Sequence, residues 1–165
     1  MTLYHDHSDS IRRALLAEAR QRLEAAPDRD TIIATVRETA RKVCKSDGIT
    51  FVLRDGDKCH YVEEDAIGPL WKGQRFPLSA CISGWAMLNA KTAVIEDVFA
   101  DPRIPYDAYL PTFVKSLIMT PVGDGCVAAM GAYWKETRQF SEDEVETVKN
   151  FAATVGRTLS DVLER

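Results

Sequence analysis

The feature that most constrains the fold of this chain is a long connector between two short apolar segments. The connector covers residues 96–115 and carries three prolines and two tyrosines. Connectors of this length inside a compact domain are uncommon, and they usually serve as lids, binding loops or disordered segments. Tyr106, Tyr109, Leu110 and Phe113 make this one too apolar for simple disorder. We therefore predict that the connector folds over the body of the domain.

The periodicity around the connector predicts an α+β fold. Apolar residues at helical spacing predict helices at Ser10–Ala25 and Arg29–Lys45, and a short helix at Ala80–Asn89 that Ser79 caps. Alternating residues and turn signals predict strands, namely a hairpin of Ile49–Arg54 with Lys58–Glu63, a central strand at Thr92–Ile95, and a hairpin of Ser116–Val122 with Cys126–Glu136. We expect an antiparallel sheet of about five to six strands. Terminal helices would cover one face, and the short helix and connector the other.

The last helix has the clearest signals. Ser141 and Glu144 show the spacing of a capping box. Apolar residues then recur at alternating spacings of three and four, namely Val145, Val148, Ala152, Val155, Leu159 and Val162. That spacing is typical of a heptad seam. Two interpretations stay open: the seam packs on the chain's own sheet, or it pairs with a second copy in a homodimer.

Three segments in and around the connector resemble the GAF domain family of small sensory modules. They are CISGWAM at Cys81–Met87, VIEDVFADPRIP at Val94–Pro105 and SLIMTPV at Ser116–Val122. The likeness is strongest to GAF domains of bacterial signal-transduction histidine kinases. It implies a sensory domain at residues 28–165, preceded by a helix at residues 1–27 that serves in dimerisation or as a linker. It also implies a kinase or another output domain as partner.

Composition excludes several classes of partner. The net charge of −4 gives no concentrated basic surface, so we expect no nucleic-acid binding. No apolar run approaches the roughly 18 residues of a membrane-spanning helix, so we expect no membrane insertion. The N-terminus lacks the basic and apolar regions of a signal peptide. These features together predict a cytoplasmic protein.

The chain offers few candidates for catalysis. Its four cysteines, Cys44, Cys59, Cys81 and Cys126, are scattered and include no Cys-x-x-Cys pair. Buried, small apolar residues are their simplest interpretation. No nucleophile–base pair, phosphate loop or metal-ligand spacing is evident, so we predict no catalytic residue, no metal site and no enzymatic activity.

The sequence lacks the cysteine arrangements expected for cofactor attachment or catalysis in the GAF family. Some relatives attach a bilin through a cysteine of the connector, which this connector lacks. A few GAF domains reduce free methionine sulfoxide with cysteines, and the cysteine spacing here differs from the spacing expected of them. The cofactor, if there is one, is unknown.

Aromatic residues of the connector and its surroundings suggest a binding site for a small molecule. Apolar and aromatic walls with a few polar groups are typical of such sites. The candidate ligand-binding residues are Trp71, Cys81, Trp85, Tyr109, Phe113, Lys115, Met119 and Tyr133. The alternative is that these rings only fill the space between sheet and connector.

The leading hypothesis is a non-catalytic sensory module of bacterial signal transduction. It would bind a small molecule between sheet and connector and relay this binding through the terminal helices to a histidine kinase or similar output. One alternative is a dimerisation module without a ligand. Another is a small thiol-based redox enzyme that uses Cys81 or Cys126.

Overall fold

The structure is a computed structural model that describes residues 2–163, with side chains from residue 10 onward. Its helices are α1 (Thr2–Ala25), α2 (Arg29–Cys44), α3 (Ile82–Asn89), α4 (Tyr106–Tyr109) and α5 (Glu142–Leu163). Its strands are β1 (Gly48–Asp55), β2 (Lys58–Ala66), β3 (Arg75–Pro77), β4 (Ala93–Ile95), β5 (Ser116–Val122) and β6 (Ala128–Trp134). Short 3-10 turns occupy Leu78–Ala80 and Val98–Ala100.

One antiparallel sheet of six strands organises the domain, in the order β3-β2-β1-β6-β5-β4. Strands β1 and β6 lie at its centre, where Ile49 pairs with Ala132. Helices α1, α2 and α5 cover one face, and α3 with the connector covers the other. The predicted α+β fold class is therefore confirmed, including the distribution of helices between the two faces.

The heptad seam of α5 packs inside the domain. Val148, Ala152, Val155 and Leu159 are all at most 2% exposed and belong to the core between the helices and the sheet. The seam therefore packs on the chain's own sheet, which was the first of the two interpretations. A homodimer through the terminal helices stays a prediction, and it would have to use other faces of these helices.

Two predictions that depend only on backbone hydrogen bonds and angles within a few residues are confirmed. The capping box of α5 is confirmed, because the Glu144 carboxylate accepts from Ser141 N–H and the Ser141 hydroxyl accepts from Glu144 N–H, both at 3.1 Å. The turn between β1 and β2 places Gly56 at φ +60°, a conformation that glycine adopts without strain.

Helix α1 packs on the domain through Ala19 and Leu23, and its role as a linker or dimerisation helix stays a prediction.

Three local predictions were wrong. The strand predicted to be central, β4, is a three-residue edge strand that pairs only with β5. Residues 75–77, for which no strand was predicted, form edge strand β3 because they pair with residues 58–60 of β2. The short helix begins at Ile82 with Cys81 at its N-cap, because Ser79 lies within a preceding 3-10 turn. Long-range pairing decided the two strand assignments, which is why a local pattern did not indicate them.

None of the helices in the described residues is both long and apolar enough to cross a membrane.

Candidate functional site beneath the lid

Residues 96–115, which we call the lid, cover the sheet face opposite the terminal helices. The lid includes α4 and the turn at Val98–Ala100. Beneath it, small residues of β6 leave space for larger side chains from neighbouring positions. A Cβ atom on Gly131 would lie 2.4 Å from the Tyr133 hydroxyl oxygen and 2.7 Å from the terminal methyl of Met119. Glycine at this position therefore allows Tyr133 to lie flat across the sheet.

A hydrogen bond from Trp71 joins the loop that contains Leu70–Lys72 to the lid. The Glu64 carboxylate accepts hydrogen bonds from the backbone N–H groups of Leu70, Trp71 and Lys72, at 3.0, 2.9 and 2.8 Å. This anchor positions the Trp71 indole, whose Nε1 donates to the Ala108 carbonyl of α4 at 3.1 Å. One side chain hydrogen bond thus joins the loop to the lid directly above the sheet.

A cluster of aromatic rings surrounds Trp71. Its ring centroid lies 4.7 Å from that of Tyr109 and 5.6 Å from those of Tyr61 and Tyr133. Tyr61 also meets Phe76 edge to face, with 5.6 Å between centroids. These distances are those of favourable ring pairs, so the cluster stabilises the closed lid.

The cluster encloses a small apolar cavity of about 10 Å³, room for roughly one water molecule. We call this cavity the enclosure, and it is lined by Tyr61, Trp71, Phe76, Cys81, Pro105, Ala108 and Tyr109. Its size shows that the rings fill most of the space between sheet and lid.

Tyr109 is the unusual member of the cluster. It is 2% exposed, and its hydroxyl has no hydrogen-bond partner among the described residues. Burial raises its pKa well above the usual value, with further contributions from Tyr133 and Cys81 nearby. The phenol is therefore neutral and keeps an unused donor. The Tyr133 hydroxyl, by contrast, is satisfied by Thr50 Oγ1 at 2.8 Å.

Two cysteines that are distant in sequence, Cys59 and Cys81, belong to the same apolar cluster between sheet and lid, and Cys81 also lines the enclosure. Cys59 on β2 is fully buried, and Cys81 at the start of α3 is 7% exposed. Interaction with the Cys59 thiol lowers the pKa of Cys81, and the Ser83 hydroxyl and the backbone N–H groups of Ser83 and Gly84 lower it further. The same interaction, together with burial, raises the pKa of Cys59.

The Ser83 hydroxyl continues the hydrogen bonding into the aromatic cluster. It lies 3.3 Å from Cys81 Sγ and 2.9 Å from the Tyr61 hydroxyl oxygen. Burial holds the pKa of Tyr61 well above its usual value, so the phenol keeps its proton. Tyr61 can therefore donate to Ser83 while Ser83 donates to the Cys81 sulfur, and both donors favour the thiolate form.

The sequence-predicted site residues fall into two groups. Trp71, Cys81 and Tyr109 line the enclosure, and the buried side chains of Met119 and Tyr133 lie beneath the lid. Their proposed role in binding stays a prediction.

The second group lies away from the enclosure. Trp85 is half-buried, with the Arg103 guanidinium 4.3 Å above its ring. Phe113 is half-buried beside Gly48, and Lys115 is exposed with its ammonium 5.0 Å from the Phe99 ring. The structure does not bring these three side chains to the cavity, and a binding role for them also stays a prediction.

Five residues around the enclosure were not predicted as parts of the site, namely Cys59, Tyr61, Glu64, Phe76 and Ser83. The alternation of Cys59 and Tyr61 along β2 is the one signal that places both on the same sheet face. The remaining members depend on the packing of segments that are far apart in the chain. In the described residues, no group of three or more histidine, cysteine or acidic side chains is arranged to hold a metal ion.

Comparison with known proteins identifies relatives in sequence and in fold. A family model for the GAF domain matches residues 26–160. A free methionine-R-sulfoxide reductase from Neisseria meningitidis, solved with its substrate, is 20% identical and has a TM-score of 0.77, covering 94% of this chain and 92% of that chain. The corresponding reductase of Staphylococcus aureus in its reduced form is 15% identical with a TM-score of 0.72, covering 90% and 94%.

A sensory protein also has this fold. The GAF domain of a two-component sensor histidine kinase from Bacillus halodurans is 16% identical with a TM-score of 0.69, covering 84% of this chain and 98% of that chain. No match was found among curated protein sequences. At these identities the likeness to solved structures shows the fold alone.

The prediction that the chain is not an enzyme is corrected by these comparisons. Structures similar to it include reductases with the same fold, so the fold gives no ground for excluding enzymatic activity. The sequence argument looked for catalytic pairs and ligand spacings along the chain. It missed that Cys59 and Cys81 belong to one apolar cluster, which the packing of α3 against β2 creates.

Proposed function

This chain belongs to the GAF domain family, and we propose that it binds a small molecule beneath the lid and transmits this binding through its terminal helices. The observation that carries the proposal is the buried Tyr109 hydroxyl without a hydrogen-bond partner among the described residues. Such a group costs about 1–3 kcal/mol when buried. A ligand that forms one hydrogen bond to this hydroxyl removes that cost, and this favours the bound state.

The lining of the enclosure indicates the chemistry of the ligand. Its walls are mainly aromatic. Among the polar groups of the lining residues, the Tyr61 hydroxyl and the Trp71 indole N–H already have hydrogen-bond partners, whereas the Tyr109 hydroxyl has none among the described residues. A molecule with a small apolar body and one hydrogen-bonding group fits these walls. A multiply charged ligand does not, because the lining residues carry no basic side chain to pair with it.

Binding requires the lid to move. A cavity of about 10 Å³ is far smaller than the roughly 300 Å³ of an ordinary ligand pocket. The Trp71 Nε1 hydrogen bond to the Ala108 carbonyl joins the loop to α4. Breaking this bond and displacing α4 would open the enclosure from above, while the sheet beneath stays in place.

The sheet provides a path from the enclosure to the helices. Strand β6 places Tyr133 on the lid side and its neighbours Met130 and Trp134 on the helix side. A ligand shifts the helices only if it binds one helix arrangement more tightly than another. We propose that a histidine kinase or another output domain responds to this shift. We also propose that the chain forms a homodimer through its terminal helices and that it is cytoplasmic.

A second candidate function is enzymatic reduction of a small sulfoxide at the same enclosure. The observation that favours it is the Cys81 sulfur in the wall of the cavity, in a fold that also carries methionine-R-sulfoxide reductases. Cys81 would attack the sulfoxide sulfur and take over its oxygen, so that the S–O bond of the sulfoxide breaks, the sulfide is released and Cys81 becomes a sulfenic acid. Cys59 would then attack the Cys81 sulfur, the oxygen would leave as water, and a disulfide would form. The sulfoxide is larger than the closed cavity, so this activity also requires the lid to open.

A pair of tyrosine variants on α4 tests the binding proposal. Tyr109→Phe removes the buried hydroxyl, and Tyr106→Phe removes an exposed one, since Tyr106 is 56% exposed. In a thermal-shift screen of small metabolites, wild type and Tyr106→Phe should respond to the same compounds, and Tyr109→Phe should lose the response. Identical responses of all three proteins to every compound would contradict the proposal.

The enzymatic candidate needs a separate assay. Wild type, Cys81→Ser and Cys126→Ser are incubated with free methionine-R-sulfoxide and dithiothreitol, and methionine is quantified by mass spectrometry. The second candidate predicts methionine formation by wild type and Cys126→Ser only. Formation at the buffer rate by wild type would eliminate it.

A further inference from the structure

A second cavity, which we call the hairpin cleft, lies beside the turn of the β1–β2 hairpin on the helix side of the sheet. Its volume is about 430 Å³, within the range of small-molecule pockets. Its walls come from the start of α2, the β1–β2 hairpin, β3, the turn before β6 and the end of α5. The ligand proposed beneath the lid would not contact it, because the sheet lies between the two cavities.

The floor of the hairpin cleft is apolar. Leu159 and Leu163 lie four residues apart and project from the same side of α5. Leu53 of β1 packs against the helix-side core, and Val127 borders the cleft from the turn before β6. Leu159 is buried, whereas Leu163 is 64% exposed and Val127 is 40% exposed. An aliphatic ligand on this floor would remove apolar surface from water, which favours binding.

The register of the sheet places two nitrogen-bearing side chains beside this floor. Leu53 pairs with His60, and His60 pairs with Arg75. Side chains directly opposite each other in an antiparallel sheet project from the same face, so His60 and Arg75 share the helix side with Leu53. The Arg75 guanidinium donates through Nε to the Asp55 carboxylate at 3.2 Å. This bond leaves the two terminal nitrogens of Arg75 for a ligand.

Arg29 brings a second guanidinium to the cleft from the first residue of α2. The acidic residue before it, Asp28, caps the helix and accepts from the Thr31 backbone N–H and hydroxyl at 2.8 and 2.6 Å. None of the ion pairs between described side chains includes Arg29. Its charge is therefore available to an anion.

The charges that face the cleft indicate how many negative charges a ligand carries. Arg54 also borders the cleft, but its cross-strand partner is Cys59, which belongs to the lid-side cluster, so the Arg54 side chain projects from the other face. The ionised side chains on the cleft side are then those of Arg29, Arg75 and Asp55, with histidine counted as neutral. They leave an excess of one positive charge, in a chain whose net charge is −4. A ligand with one negative charge balances this excess.

We propose that the hairpin cleft binds an aliphatic monocarboxylate. The carboxylate contacts the guanidinium groups of Arg29 and Arg75, whose planar geometry matches it, and the His60 ring offers a further N–H donor. The aliphatic chain lies on Leu159 and Leu163. Such a ligand touches the start of α2 and the end of α5 together. It therefore favours one arrangement of these two helices over others.

Hexanoate is the probe for this proposal. The ¹⁵N-labelled wild-type protein is titrated with sodium hexanoate at constant ionic strength, and amide chemical shifts are followed by NMR. We expect saturable shifts at Leu53, Val127 and Leu159, and none at Trp71 and Tyr109 beneath the lid. Saturable shifts at the lid residues instead, or no saturation in the millimolar range, would overturn the proposal.

Three related compounds test the two parts of the ligand. 1-Hexanol keeps the chain without the charge, and acetate keeps the carboxylate without most of the chain. Each should bind about tenfold more weakly than hexanoate, because a charge-assisted hydrogen bond or a few partly buried methylene groups contribute about that factor. Equal affinity of 1-hexanol and hexanoate would exclude the carboxylate contact. Inorganic phosphate that binds as tightly as hexanoate would show a site for any anion and would overturn the assignment.

Two arginine variants locate the site. Arg29→Gln removes an exposed side chain that is in no ion pair with a described residue, and it should weaken hexanoate binding by about fivefold or more. Arg54→Gln is the matched control, because it removes the same charge from the other face of the sheet. It should bind hexanoate as wild type does. Equal weakening in both variants, or an unchanged affinity in Arg29→Gln, would refute the site.

A third variant separates this proposal from the one for the lid. Tyr109→Phe alters the enclosure and leaves the hairpin cleft intact, so it should bind hexanoate with wild-type affinity. Loss of hexanoate binding in Tyr109→Phe would place the ligand beneath the lid and overturn the proposal. The outcome of the metabolite screen on that variant does not affect this test.

Discussion

Replacing Tyr109 by phenylalanine should stabilise the ligand-free protein. The substitution removes only the hydroxyl, which is buried and has no hydrogen-bond partner among the described residues. The ring, which packs on Trp71 with 4.7 Å between centroids, is retained. An unsatisfied buried polar group costs about 1–3 kcal/mol, so we expect a gain of about 1 kcal/mol in the free energy of unfolding. For a domain of this size that corresponds to a rise in Tm of about 2–4 °C.

Tyr133→Phe is the matched control for this prediction. Its hydroxyl is also buried, but it is hydrogen-bonded to Thr50 Oγ1 at 2.8 Å. Its removal leaves Thr50 without this partner and should destabilise the domain by about 1 kcal/mol. Urea denaturation followed by circular dichroism measures both variants, and an unchanged m-value shows that the free energies are comparable.

The sign of the difference tests the reasoning. Tyr109→Phe and Tyr133→Phe should shift the urea midpoint in opposite directions. A loss of stability in Tyr109→Phe equal to that in Tyr133→Phe would show that the Tyr109 hydroxyl is satisfied in the free protein. The argument for a ligand at that position would then fail. A gain in stability combined with lost ligand response would instead be typical of a functional residue that is costly to the fold.

Three further predictions concern the lid, its support and the terminal helices. Gly84→Ala should lower the free energy of unfolding in urea by about 3 kcal/mol or more, because the new Cβ would lie 1.8 Å from the Leu78 carbonyl oxygen. Gly68→Ala is the control and should change it by no more than about 1 kcal/mol, because its Cβ would lie 3.6 Å from the nearest atom, on the Phe113 ring. The hydrogen bonds and charge of Arg103 lower the pKa of Asp101 in the folded lid. The pair therefore stabilises the fold at pH values above the unfolded carboxyl pKa of about 3.9, and this stabilisation disappears as the pH falls through the lower folded pKa. Acid titration followed by tryptophan fluorescence should therefore show a lid transition below about pH 4 that Asp101→Asn removes, and an unchanged titration in that variant would refute the assignment. Val155→Glu should unfold the domain rather than separate two copies, because the side chain is fully buried in the core, and a folded monomer by light scattering and circular dichroism would show that this residue faces a partner.

The sequence determined the elements whose signals are local. The capping box at Ser141 and Glu144 and the turn at Gly56 depend on hydrogen bonds and backbone angles within a few residues, and both occur where expected. The apolar periodicity of α2 and α5 likewise indicated which helix faces are buried, because that period depends only on helix geometry. The resemblance of the connector region to GAF domains indicated the family, which a family model confirms over residues 26–160.

Only the tertiary structure decided which residues meet at the candidate site. The placement of Cys59 and Cys81 in one apolar cluster depends on the packing of α3 against β2. The link from Trp71 to the lid depends on a loop that the Glu64 carboxylate anchors. Edge strands β3 and β4 are three residues long and are defined by their pairing partners. Contacts between segments far apart in the chain leave no periodic trace in the sequence, so the local patterns that indicate a helix or a turn carry no information about them.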